Sequence, residues 1–354
     1  MNVHRLPSVR RLLRVLVAES MLLVLVPLAT HVETAAADSA PPASVSRYMF
    51  TTNPQELYND GCAAGHHATQ DNVQNSLIVL DFGQADSQPD GSGGTIWGTY
   101  LYNKTFASTT DISLAAKSFA DGFWDCTSFY GPTLTLTIGT SNQSGALADD
   151  PSVWSAHGVA WGNMVNNIES YIDNSGYSSE LQASGASDME VNWNSSTNTR
   201  AWADGYGSTP NSGWFYYDYG DASACPLNSN TNDLCNNPNN SWMREDVWYV
   251  SWGAISAFPL PEIYTPGTAS LPYGSEATQW HDMSSYSFAA HGYQMDIAGE
   301  LTQYAAEQQS CSCQSPNDSL SNTPSQAWNQ LYRALNDDPN TQQGLLYSTD
   351  IQNG

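Results

Sequence analysis

Positive charge is scarce in this chain: ten Lys and Arg stand against 35 Asp and Glu, a formal −25 over 354 residues. A surface that acidic repels phosphate backbones and anionic head groups, so neither nucleic acid nor a membrane surface is expected as a partner. Cysteine is sparse as well, six residues with no C-x-x-C pair of the kind that reads as a zinc or redox site. No metal and no cofactor is expected. There is no G-x-S-x-G elbow, and Gly91-Ser92-Gly93-Gly94 lacks the ordered glycines and following helix of a nucleotide loop, so it reads as a flexible loop. Beyond residue 37 no apolar run is long enough to span a bilayer.

What is present begins with Arg5, Arg10, Arg11 and Arg14, followed by an apolar run around Leu22 to Ala29 and the small residues Ala35-Ala36-Ala37. That is the pattern of a secretory signal over residues 1–37, which makes the expected location extracellular. Export would carry Cys62, Cys126, Cys225, Cys235, Cys311 and Cys313 into an oxidising compartment, where an even count suggests disulfides. Six cysteines can pair in about 15 ways. Cys62 with Cys126 and Cys225 with Cys235 are favoured, which leaves Cys311 with Cys313 in a small, strained ring. Residues 38–46 read as a flexible lead-in and residues 47–354 as a single domain, since no linker or internal repeat divides them. A monomer is expected.

The continuous apolar run Ser76 to Gly83 reads as a strand buried on both faces, as in a parallel sheet. A helix over Ile112 to Trp124 with Asp111 as its N-cap follows, then a strand at Thr133 to Thr140, a helix near Ala156 to Ile172, a strand at Ala186 to Trp193 and a short helix near Asn198 to Asp204. Further strands are expected at Trp214 to Tyr219 and Asp246 to Trp252, with shorter ones at Pro261 to Tyr264 and Ala277 to Trp280. Two helices, near Ile297 to Gln308 and Ser325 to Leu335, would lie outside them. Strands alternating with helices imply right-handed crossovers, and about seven strands in one domain favour an α/β fold of the TIM-like (β/α) barrel type, closed or nearly closed.

In such a barrel the active site lies at the carboxyl ends of the strands. The ionisable groups expected there are all acidic: Asp81, Asp188, Glu190, Asp218 and Glu262. On a strand, Asp188 and Glu190 would share a face about 7 Å apart, close enough for their pKa values to split. One protonated and one ionised carboxyl is the arrangement that glycoside hydrolysis uses, which makes Glu190 the candidate acid, with Asp188 and Asp81 assisting. Trp193, Trp214, Tyr216, Tyr219, Trp252 and Trp280 fall at or near strand ends, where flat rings could stack on sugars. A candidate substrate-binding set is then Asp218, Trp193, Tyr219, Trp252, Glu262, Gln279 and Trp280. A non-catalytic sugar-binding barrel would use the same aromatics, and a metallohydrolase built on Asp81, Asp188 and Asp218 would lack the usual strand-end histidines.

The segment Asp188-Met189-Glu190-Val191-Asn192-Trp193-Asn194, with Asp81 ending an early strand and Gln279-Trp280 in a late one, resembles the barrel of family 25 glycoside hydrolases, the lysozyme-like muramidases. In that family an Asp-x-Glu in a middle strand carries catalysis, an Asp ends the first strand and a Trp-Gln-Tyr closes the barrel. The resemblance implies a secreted glycosidase acting on a polysaccharide. Trp202 to Tyr206, Tyr219 to Ala222 and Asp246 to Gly253 are similar to a group of uncharacterised secreted bacterial proteins, which implies no particular activity. On this reading N-terminal sequencing of the exported protein finds it beginning at or near Asp38, and an intact residue 1–37 segment on extracellular material would contradict it.

Overall fold

The computed structural model describes residues 39–127, 131–209, 215–235, 241–310 and 321–354. The expected signal, Trp214, and Cys311 with Cys313 lie outside these residues. Eight parallel strands run in the order β8 (Ala257–Pro259), β7 (Tyr216–Asp218), β6 (Leu181–Asp188), β5 (Thr133–Ser144), β2 (Asn75–Pro89), β1 (Ser44–Tyr48), β10 (Tyr347–Asn353) and β9 (Gly299–Thr302). The ring is completed where the chain leaving β8 meets β9: Ala298 N donates to Pro259 O (2.9 Å), Leu301 N to Pro261 O (3.0 Å) and Ile263 N to Leu301 O (3.0 Å). The protein is a parallel β/α barrel, as the alternation of strands and helices requires.

β2 explains the two-sided burial of its sequence. Leu77 and Val79 point into the barrel with Ala186, Tyr217, Leu301 and Ile351, while Ile78, Leu80 and Phe82 face the helix layer. β2 continues past the ring and turns back through β3 (Thr95–Tyr100) and β4 (Phe106–Ser108), an antiparallel flap standing on the carboxyl side of the barrel. The helices are α1 (Pro54–Gln70), α2 (Thr109–Cys126), α3 (Pro151–Ser175), α4 (Ser196–Gly207), α5 (Arg244–Trp248), α6 (Ser275–His291), α7 (Tyr304–Ser310) and α8 (Pro324–Asn336). Disulfides join Cys62 to Cys126 and Cys225 to Cys235, the two pairings favoured from the sequence.

Several local expectations are corrected. Asp246 to Trp252 is not a strand but α5 followed by a π-turn over Tyr249–Gly253; the Asp246 carboxylate accepts from Met243 N (2.9 Å) and starts the helix. The run is apolar at nearly every position, so its periodicity could not choose between strand and helix. Ala277 to Trp280 belongs to α6, where Ala277, Trp280, Met283 and Ser287 are buried at helical spacing. Within the helix expected at Ile297 to Gln308, residues Gly299–Thr302 form β9 and only α7 is helical. Asp111 is the third residue of α2, with Ser108 as the true cap and the two side chains bonded reciprocally. Pro261 to Tyr264 extends the chain with a single bridge, Glu262 to Leu301.

The lead-in reading of residues 38–46 fails at Ser44 to Ser46, which form β1 between β2 and β10. Its polar sequence hid it. Ser46 Oγ lies 2.7 Å from Thr349 Oγ1 and accepts from Val79 N, so small hydroxyls fill the narrow barrel interior where apolar residues were sought.

α1 and α2 touch backbone to backbone. A Cβ on Gly122 would sit 2.0 Å from Tyr58 O, and one on Gly61 2.0 Å from Phe119 O. Gly122→Ala should therefore force the helices apart and destabilise the fold by ~1–3 kcal/mol in urea unfolding with the disulfides intact, whereas Gly344→Ala, which meets nothing within 4 Å, should be nearly neutral.

Candidate active site

Three strand ends and the loops that follow them build a cleft at the carboxyl end of the barrel. β6 stops at Asp188, so Glu190 stands beyond the strand and not on it. Its backbone is nevertheless fixed: Glu190 N donates to Asn142 Oδ1 (3.1 Å), and Asn142 Nδ2 donates back to Glu190 O (2.9 Å). Asn194 Nδ2 in turn donates to Asn142 O (3.1 Å), so the end of β5 and the chain after β6 hold one another. Asp218 points out of the barrel, where its carboxylate accepts from Gly220 N (3.2 Å) and from the Met189 amide. Gly220 is required there, because a Cβ would lie 2.5 Å from Met189 N.

The cleft has a volume of about 480 Å³ and is lined on its acidic side by Asp188, Glu190, Asp221 and Glu262, with Tyr48, Tyr264 and Trp193 among them. Tyr102, Lys104, Gln84 and Gln143 bring the flap and the extended ends of β2 and β5 to the opposite wall. Asp81 lies beneath, fully buried. Its Oδ2 accepts from Tyr102 OH (2.7 Å) and its Oδ1 from Gly83 N (2.8 Å). Tyr264 OH donates to Glu262, and Tyr219 OH donates to Thr140 O (3.0 Å) inside the barrel.

Burial and like charge act together on this group. Burial first, then Glu262, Glu190, Asp81 and Asp221, push the Asp188 carboxyl far above the ordinary range. Glu190 is pushed up to about 7 by burial and by Asp221. Glu262 rises for the same reasons, against the bond from Tyr264. Desolvation raises Asp81 and Asp221, opposed by their hydrogen bonds. Burial and the surrounding carboxylates also raise Tyr48, Tyr102, Tyr219 and Tyr264, which keeps those hydroxyls protonated as donors.

Of the residues singled out from sequence, Asp188, Glu190, Glu262 and Trp193 line the cleft, and Asp81 and Tyr219 support its floor. Four do not reach it. Asp218 faces outward to cap the next loop. Trp252 sits in the π-turn with its ring 5.3 Å from that of Phe258. Gln279 and Trp280 belong to α6, where Gln279 donates to Cys225 O (3.2 Å) and Trp280 is wholly buried, so the late-strand part of the family 25 resemblance is lost. Tyr48 was not among the expected site residues, because β1 is polar and was not expected as a strand. Nor were Tyr102, on the flap, and Asp221 and Tyr264, although the last two stand beside acids that were.

The raised carboxyls set the pH dependence of stability. Asp218, at about 8, and Glu190, at about 7, hold protons that the unfolded chain has already lost above its ordinary carboxylate range. The native state thus binds more protons, and stability falls as pH climbs through these values. Buried His157, lowered to about 4 from 6.5, opposes them mainly below pH 6.5, where the unfolded imidazole is charged, and only weakly in this window. The urea midpoint should be lower at pH 8.5 than at pH 6.5; an unchanged or higher midpoint at pH 8.5 would show that these groups are not held protonated.

No known family profile matches the chain, and no curated protein sequence matches it. Among solved structures it is similar to a sugar phosphate isomerase/epimerase from Parabacteroides distasonis, at 10% identity and a TM-score of 0.39, over 90% of this chain and 89% of that one. It is also similar to a GH18 chitinase from Pseudoalteromonas aurantia, at 10% identity and a TM-score of 0.39, over 88% of this chain and 94% of that one.

Proposed function

We propose that the protein is an exported glycoside hydrolase that cleaves a polysaccharide by carboxylate chemistry, with Glu190 as general acid. The observation that carries this reading is the placement of Glu190: on an open cleft, on a backbone clamped by Asn142, with a carboxyl pushed up to about 7. Such a group keeps its proton near neutrality and can pass it to the leaving glycosidic oxygen. Asp188 lies deeper in the same cleft and is the second carboxyl; burial favours its protonated form, so the reacting state is the one in which the pair's proton sits on Glu190 and Asp188 faces the cationic sugar ring ionised as the bond breaks. Repulsion between the two favours a single shared proton, which is the state that supplies one acid and one base.

Asp81 serves as a positioning residue, since it does not line the cleft and reaches it through Tyr102. Trp193 offers a flat face for a sugar ring, and Glu262 and Asp221 offer acceptors for hydroxyls. Two disulfides support export. Among the described residues no helix is long and apolar enough to cross a membrane. The Asp-x-Glu at the end of a barrel strand and the Asp ending β2 are the points at which the family 25 resemblance still supports this reading.

Release of reducing ends from a panel of polysaccharides tests the proposal. Glu190→Gln should lower kcat by ~10²- to 10⁴-fold while leaving binding in place, and wild-type activity should decline as pH rises through about 7, where Glu190 loses its proton. Binding of glycans without release of reducing ends would instead identify a non-catalytic sugar-binding barrel.

A further inference from the structure

Asp188 has a need that acid and base chemistry alone does not meet. The residue is 6% exposed and lines the cleft, yet its Oδ1 is buried with no hydrogen-bond partner among the described residues. Buried carboxylates are ordinarily supplied with donors. None of the nearby hydroxyls donates to it: Tyr102 is bonded to Asp81, Tyr264 to Glu262 and Tyr219 to Thr140 O, and Tyr48, which also lines the cleft, makes no bond to Asp188. The charges facing it, from Glu262, Glu190, Asp81 and Asp221, all have its own sign. The one lysine on the cleft wall, Lys104, stands on the exposed flap with its Nζ 5.8 Å from the Tyr100 ring centroid.

A single bare metal ion is a poor complement to this group. Among the described residues, the one set of three potential ligands whose atoms lie within 4.8 Å of one another is Cys62, His66 and Cys126, which is remote from the cleft and includes a disulfide. The acidic side chains are spread over a sugar-sized space instead. The geometry fits a cation carried on a larger body that supplies several N–H donors at once, as an ammonium group does.

We propose that the glycan taken by this cleft carries free, protonated amines: a polymer containing unacetylated hexosamine units, with an ammonium seated among Asp188, Asp221 and Glu262. The proposal rests on the glycan reading above and adds the charge of the sugar. An N-acetyl group at the same place would remove the charge and set its carbonyl oxygen against carboxylates, so the site selects against acetylation as well as for the amine. The formal −25 of the chain acts in the same direction at longer range, drawing in a polycation with an attraction that salt screens. A bound ammonium also stabilises the ionised form of every carboxyl around it, so binding should release protons, which a neutral sugar would not cause.

Titration calorimetry on the full chain and its Glu190→Gln variant, at about pH 6 with tetramers of glucosamine and of N-acetylglucosamine, provides the test. The glucosamine tetramer should bind at least ~10-fold more tightly, weaken several-fold as salt rises from ~50 to ~300 mM, and release protons in paired buffers of different ionisation enthalpy. Asp221→Asn retains the acceptor that Ser223 N uses at 3.0 Å. It should weaken the glucosamine tetramer by ~5- to 10-fold and leave the acetylated one within ~2-fold. Equal or tighter binding of the acetylated tetramer, or a loss at Asp221→Asn shared by both, overturns the proposal. Selective binding of the amine without cleavage by the wild type would sustain it while removing the hydrolase reading, and cleavage of acetylated or neutral chains without selectivity would do the reverse.

Discussion

Three backbone hydrogen bonds between the chain after β8 and β9 turn a sheet into a ring, and the rest of the molecule depends on that ring. An open sheet would spread its strand ends along a line. The ring instead brings Asp81 from β2, Asp188 from β6, and Asp221 and Glu262 from the segments after β7 and β8 around one opening. Each carboxyl is unremarkable in its own strand or loop. It is their convergence, in a place that also excludes much of the water, that changes their chemistry.

Convergence has a free-energy cost, and the local architecture responds to it. Tyr102 and Gly83 donate to Asp81, Tyr264 donates to Glu262 and Ser223 N donates to Asp221, so three of the acids have donors from within the molecule. Protonation relieves the remainder, which is why Glu190 holds a proton up to about 7. The same desolvation keeps the tyrosine hydroxyls protonated, so Tyr102 and Tyr264 stand as fixed donors among the acids. The proposed functions of the cleft, proton transfer to a glycosidic oxygen and capture of an ammonium, both draw on this imbalance. One uses the proton the cluster retains, and the other uses the charge it would carry without that proton.

Rigidity at the rim comes from paired backbone and side-chain contacts. Asn142 holds both backbone polar groups of Glu190, and Gly220 lets the loop after β7 lie against Met189. Asp218 fastens that same contact from outside the barrel. Its selection from sequence as a site residue thus found a structural neighbour of the cleft, since a strand-end acid looks the same whether it faces in or out.

Much of the barrel could be read directly from the amino acids. The doubly buried run of β2 and the alternation of strands and helices through α4 rest on local pattern, because burial on both faces and helical spacing leave marks within a few residues. Four barrel strands left no such mark. β8 is only Ala257–Pro259, and β1, β9 and β10 are short and rich in Ser, Thr and acidic residues, with apolar surroundings that come from other parts of the chain. Trp252, Gln279 and Trp280 were misplaced for the converse reason: an apolar, aromatic run satisfies a strand or a buried helix equally until its neighbours are present. The sequence by itself determined which side chains were available: an excess of acids, few cations and many aromatic rings. Only the tertiary structure decided which acids meet, because that depends on strand order and ring closure, and a carboxyl's pKa follows the dielectric and charges around it and not its neighbours along the chain.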